Sequence, residues 1–180
     1  MVAPMRVLGV DPGLLRTGYA CLEFEAARPR VRPAVIEAGV FRLPARRPMA
    51  DRLLELEEDL AAMLSRTRPG AAAVEGLFTH YERPSTAIAM AHARGVILLC
   101  LRRAGVSVSE IKPARMKRSI TGAGNASKAQ VQRAVRDRLG LPAMEPADVA
   151  DAVALALCAH AEAAPIAGRP ARTGSIHSSS

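Results

Sequence analysis

The sequence predicts an α/β domain: a five-stranded sheet of mixed direction, its first three strands antiparallel, with helices on both faces. Three observations predict it. Three strand-like runs come first, joined by short connections carrying Pro, Gly or Arg. Two further short apolar strands are each preceded by a helical segment. A last helix is apolar at almost every position. A meander followed by helix–strand alternation builds a mixed sheet covered on both sides. A dinucleotide-binding fold is excluded, because the first strand enters a hairpin and not a glycine-opened helix.

The elements follow in order. Arg6 to Val10, Thr17 to Phe24 and Ala34 to Phe41 are the meander strands. "DRLLELEEDLAAMLSR", Asp51 to Arg66, spaces its leucines as an amphipathic helix, with Pro69 and Gly70 stopping it. "AAAVEG", Ala71 to Gly76, is a short buried strand. Pro84 to Arg103 is a helix rich in Ala, Met, Ile and Leu, and Val106 to Ser109 a fifth strand. Shorter helices are expected over Pro113 to Ser119 and Ser127 to Leu139. Glu145 to Ala164 is the last helix, with Pro146 in its first turn, where a missing N–H costs nothing.

The chain has 180 residues, which suits one domain with a full core. We expect that domain over residues 1–164 and a disordered basic, Ser-rich tail over 165–180. Aromatics make up only 3% of the chain, so Ala, Leu and Val must pack the core. The net charge of +8 and a pI near 10.4 favour a polyanionic partner. No apolar run reaches the roughly 20 residues of a membrane span, and the N-terminus lacks the pattern of a signal peptide. Cys21, Cys100 and Cys158 form no zinc pattern or disulfide framework, which points to a reducing cytoplasm.

Four acids stand in costly places. In "VLGVDPG", Asp11 ends an apolar strand, and Glu75 ends another after Ala-Ala-Ala-Val. An ionised carboxylate there needs solvent, hydrogen bonds or a cation. Asp148 and Asp151 share one face of the last helix, near its start. If that helix lies on the sheet, all four acids meet at one edge. Pro12 and Gly13 then make a tight turn that leaves Asp11 exposed at that edge. Such a donor set suits hard divalent cations, Mg²⁺ above all where the substrate is a phosphate. Taken singly, Asp11 also reads as a turn acid and Asp148 as a helix-dipole acid.

Between Lys112 and Arg138 eight basic residues face a single acid, Asp137. In their midst, "ITGAGNASKAQVQ" offers Gly122 and Gly124 for close approach to a phosphate. Ser127 there is placed to cap the helix carrying Lys128. Lys117 and Lys128 beside this loop read as phosphate ligands, while Arg133, Arg136 and Arg138 read as a solvated face. Phe78 and Tyr81 fall in the polar loop "GLFTHYERP" after Glu75, where they either stack on bases or pack the loop. Arg16 points toward a bound phosphate or is a solvated turn residue. None of the histidines has metal-ligand spacing, and His160 reads as a C-terminal helix-dipole residue.

"GVDPG" with "RTGYA", "AVEGLF", "AHARG", "GAGNASKAQVQ" and "LPAMEPADVADAVALA" occur in the order of the RuvC family of Holliday junction resolvases, which residues 6 to 163 resemble. The resemblance implies an RNase H-like fold and a homodimer. It implies paired, symmetric nicking of four-way DNA junctions in recombination and repair, leaving 5′-phosphate and 3′-hydroxyl ends. It places catalytic and metal-binding carboxylates at Asp11, Glu75, Asp148 and Asp151, holding two Mg²⁺ ions that Mn²⁺ can replace. It assigns the junction aromatic to Phe78 and the phosphate contacts to Lys117 and Lys128. It also implies work beside the RuvA–RuvB branch-migration complex. One departure is Gly76, where many relatives carry Gln.

Two rival readings are a branched-DNA-binding module without catalysis and an ATPase of the actin-like fold. The second fits poorly, since Pro12 lacks an N–H and Leu14 and Leu15 lack hydroxyls for phosphate.

Overall fold

The computed structural model describes residues 3–13, 15–25, 31–76 and 84–163. Among them run β1 (Met5–Asp11), β2 (Arg16–Phe24), β3 (Ala34–Arg42), α1 (Met49–Thr67), β4 (Ala71–Glu75), α2 (Pro84–Arg103), β5 (Ser107–Ile111), α3 (Pro113–Thr121), α4 (Lys128–Leu139) and α5 (Ala147–Ala163). The five strands form one sheet in the order β3-β2-β1-β4-β5. β1 pairs antiparallel with β2 and parallel with β4. The predicted mixed sheet with an antiparallel meander is therefore the one observed. The tail 165–180, and Phe78 and Tyr81, lie outside the described residues.

Side chains alternate across a strand, so each face of the sheet has its own core. On one face Leu8, Val10, Cys21 and Val74 pack with Leu56, Leu60 and Met63 of α1 and Ile97 and Leu101 of α2. Leu60 is fully buried, and truncating such a residue to Ala costs about 2–5 kcal/mol. On the other face Val7, Leu22 and Ala73 meet α5, which in turn carries α3 and α4 through Met116, Ile120, Val131 and Val135. The leucine spacing predicts α1 correctly. It ends at Arg68, a left-handed residue at φ 46° whose N–H donates to the Leu64 carbonyl, one step before Pro69.

α5 is buried on nearly all sides, from Val149 to Cys158 with only Asp151 partly open. It begins one residue beyond Pro146, whose carbonyl accepts from the Ala150 N–H at 2.9 Å. Two glycines let it lie directly on the sheet. A Cβ on Gly9 would overlap the Ala152 carbonyl oxygen and crowd the Ala156 nitrogen at 2.8 Å. A Cβ on Gly18 would overlap the carbonyl oxygen of Asp148 itself. These contacts fix how far α5 stands from β1 and β2, and hence where its acids fall.

Candidate active site

The register of the sheet puts three elements of the site on one face. Gly9 pairs with Ala20 and with Ala73, and Asp11 with Gly18. Gly9 and Gly18 face α5, so by alternation Asp11 faces it too. Glu75 is two residues beyond Ala73, which belongs to the α5-side core. Asp148 and Asp151 occupy the first turns of α5 above this edge. Asp11, Glu75, Asp148 and Asp151 are all partly buried. Asp11 is thus half-buried at that edge and not fully exposed.

The four acids act on one another. Burial pushes the Asp11 carboxyl up to about 8, and Glu75, Asp151 and Asp148 push it further in the same direction. Asp11 keeps its proton and donates it to the Glu75 carboxylate. Glu75 is raised by burial, opposed by that hydrogen bond, raised by Asp151 and lowered by Lys117 and Lys128. Asp151 is also raised by burial, with Lys128 and Lys117 pulling it back. Asp148 meets a cation directly: Arg16 Nε lies 2.8 Å from its Oδ2.

The donor set is all oxygen, which fits Mg²⁺ or a similar hard cation. Among the described residues no three acidic, histidine or cysteine side chains enclose an ion as they stand. The carboxylates are instead held by a shared proton and an arginine. The residues fit a divalent cation in type, while Asp11 and Glu75 are turned to each other and Asp148 to Arg16.

Other expected residues fall as follows. Lys117 lies on α3 and Lys128 opens α4, and both act on Glu75 and Asp151. Ser127 caps α4 as expected, accepting from the Gln130 N–H while Gln130 Oε1 accepts from the Ser127 N–H at 2.7 Å. Gly122 ends α3 in the left-handed region and donates to the Arg118 carbonyl. Arg16 starts β2 and, although 45% exposed, pairs with Asp148 and does not stand free in the turn. His160 is not a charged helix cap. Its ring stacks on Phe24, with centroids 3.6 Å apart, and burial lowers its pKa. At Gly76 a Cβ would make only ordinary contact, 3.7 Å from the Ile111 oxygen.

Sequence reasoning missed one residue beside the site. Arg94 of α2 reaches across to donate from Nε to the Glu75 carbonyl at 3.4 Å and ion-pairs with Glu110 at 2.6 Å. Its side chain is only 12% exposed, so the contact ties α2 to the strand end that carries Glu75. An arginine in the largely apolar stretch "AIAMAHARGVILL" was the available signal.

Among the described residues no helix is long and apolar enough to cross a membrane. The family model for crossover junction endodeoxyribonuclease RuvC matches residues 7–160. A crossover junction endodeoxyribonuclease RuvC of Rhodopirellula baltica is 45% identical over 155 residues, 86% of this chain and 85% of that one. Its counterpart in Chloroflexus aurantiacus is 43% identical over 162 residues, 89% of this chain and 95% of that one. The structure of Thermus thermophilus RuvC in complex with Holliday junction substrate superposes with a TM-score of 0.78 at 31% identity, covering 86% of this chain and 92% of that chain. The acidic edge, the basic helices beside it and these likenesses agree, and the chain belongs to the RuvC family of crossover junction endodeoxyribonucleases.

Proposed function

We propose that this chain resolves four-way DNA junctions by paired, symmetric hydrolysis of phosphodiesters at the edge formed by Asp11, Glu75, Asp148 and Asp151. Endonuclease activity on junctions is the property of its family. The observation that carries the assignment of these residues is that Asp11 and Glu75 end adjacent parallel strands at the sheet edge beneath the first turns of α5, which carry Asp148 and Asp151. Such a cluster is costly unless a cation occupies it.

The four carboxylates would hold two Mg²⁺ ions, with Mn²⁺ able to substitute. When bound, such ions supply an activated water and neutralise the leaving 3′ oxygen. The chain's own residues do the rest. Asp11 must give up the proton it shares with Glu75 before it can act as a ligand, so occupancy releases a proton. Lys117 and Lys128 lie close enough to lower the pKa of Glu75, and a phosphate held by them would lie against the carboxylates. Phe78 and Tyr81 serve to wedge or stack bases at the junction centre, and Arg16 adds a phosphate contact. The products carry 5′-phosphate and 3′-hydroxyl ends.

Paired nicking needs two sites, and α2 offers the surface for a two-fold dimer. Ile88 and Leu99 are 58% and 50% exposed on it, while Ala93, Ile97 and Leu101 on its other side are in the core. The three cysteines are buried free thiols, in keeping with a cytoplasmic protein that works beside the RuvA–RuvB motor. The test is incubation of a synthetic mobile four-way junction and a linear duplex with parent and Asp11→Asn protein, in Mg²⁺ and in EDTA. The parent in Mg²⁺ nicks opposed strands of the junction. Equal cleavage by Asp11→Asn would remove the mechanism.

A further inference from the structure

We propose that Arg16 is a resident counter-cation that holds Asp148 until a divalent ion displaces it. The inference rests on the reading that the four carboxylates bind metal. Its basis is the 2.8 Å contact between Arg16 Nε and Asp148 Oδ2. The backbone on both sides of this contact is fixed. Gly18 packs against the Asp148 carbonyl, so β2 and the start of α5 cannot slide apart without losing their fit. Gly13 packs just as closely on the Arg16 carbonyl, and the Leu43 N–H donates to the Leu15 carbonyl at 2.7 Å. Only the Arg16 side chain remains to move.

That side chain is suited to exchange. It is 45% exposed, and Asp148 is 30% exposed, so solvent screens the pair and holds it weakly. A weak pair can be opened by a divalent ion, whereas a buried one could not. Asp148 thus has the guanidinium as its partner. An ion held by Asp148 would take the place of the guanidinium and leave Arg16 free to turn toward solvent.

The competition predicts that removing Arg16 tightens metal binding. Mg²⁺ is titrated by calorimetry and Mn²⁺ by electron paramagnetic resonance into full-length parent, Arg16→Gln and Arg16→Lys. The same substitutions are repeated in an Asp148→Asn background. Arg16→Gln is expected to bind either ion about two- to five-fold more tightly, the range set by an exposed pair. Arg16→Lys should stay near the parent, and in the Asp148→Asn background the gain should vanish. Equal or weaker binding by Arg16→Gln overturns the proposal. So does a gain that persists with Asp148→Asn, since that would be a general charge effect. If the parent takes up neither ion, the metal reading itself falls and the role of Arg16 with it.

Discussion

Asp11 should make the metal-free protein less stable as pH rises. Its carboxyl sits at about 8 in the fold and at 3.8 as an ordinary aspartate. Between these values the folded chain holds a proton that the unfolded chain has lost. Stability therefore falls with increasing pH across this window, by about 1.4 kcal/mol per pH unit, and levels off above it. From pH 5 to pH 7 the loss amounts to about 3 kcal/mol. In a domain of this size that is about 6–12 °C in melting temperature. Asp11→Asn keeps the shape and cannot ionise, so it should lack this loss. Glu75 and Asp151 also titrate upward, yet both remain in the variant, and the difference between the two proteins isolates Asp11. The assay is scanning calorimetry in EDTA at pH 5, 6, 7 and 8. The gap in favour of Asp11→Asn should widen with pH and close or reverse on adding Mg²⁺, which only the parent binds well. A gap that stays constant from pH 5 to pH 7 would refute the claim that Asp11 is held protonated by burial and its neighbours.

Three further outcomes follow from the packing. Gly18→Ala must push α5 away from β2 because its Cβ overlaps the Asp148 carbonyl. Junction cleavage should fall by about 10²-fold, the cost of misplacing a reacting group by roughly 1 Å, and unchanged kinetics would show that α5 is not what sets the acids. Ile88→Glu should give monomers by light scattering and leave single nicks in place of paired ones, and a persisting dimer would remove α2 as the interface. His160 titrates the other way from Asp11. Burial lowers its pKa below 6.5, so the unfolded chain binds more protons as pH falls through 6.5 and stability is lost in acid. His160→Phe should flatten that acid limb in calorimetry, and an unaltered limb would place the acid sensitivity elsewhere.

Most of the sheet was legible because its determinants are local. Alternation and turn residues marked the meander, and the Leu spacing marked α1. Asp11 and Glu75 were legible for a different reason: each breaks an apolar run, and a charge at such a place needs an explanation. Asp148 and Asp151 were found by helical spacing. What was not legible depends on contacts distant in sequence. Arg16 is far from Asp148 in the chain, and only the seating of α5 on Gly18 joins them. Arg94 was hidden in an apolar helix whose register against β4 no periodicity reveals. His160 was misjudged because its position near a helix end suggested a dipole contact, while Phe24 on another element decides its environment.

A polyanion and a cluster of acids ought to repel each other, and the site must resolve this before any chemistry. Its solution is to carry its own compensation. One proton sits between Asp11 and Glu75, and Arg16 stands on Asp148. Lys117 and Lys128 add charge from α3 and α4, within a chain of net charge +8. DNA that approaches the metal-free protein thus meets a partly neutralised edge inside a positive field. On the proposed reading, a divalent ion would take the place of the proton and of the guanidinium. Because both leave as it enters, metal affinity should rise with pH through the Asp11 range and rise again when Arg16 is removed. The two effects act on different carboxylates, so they should add, and a double titration of parent and Arg16→Gln at pH 6.5 and pH 8.5 separates them. If the pH dependence disappears in Arg16→Gln, the proton and the arginine are not independent occupants, and the compensation must be assigned to one of them alone.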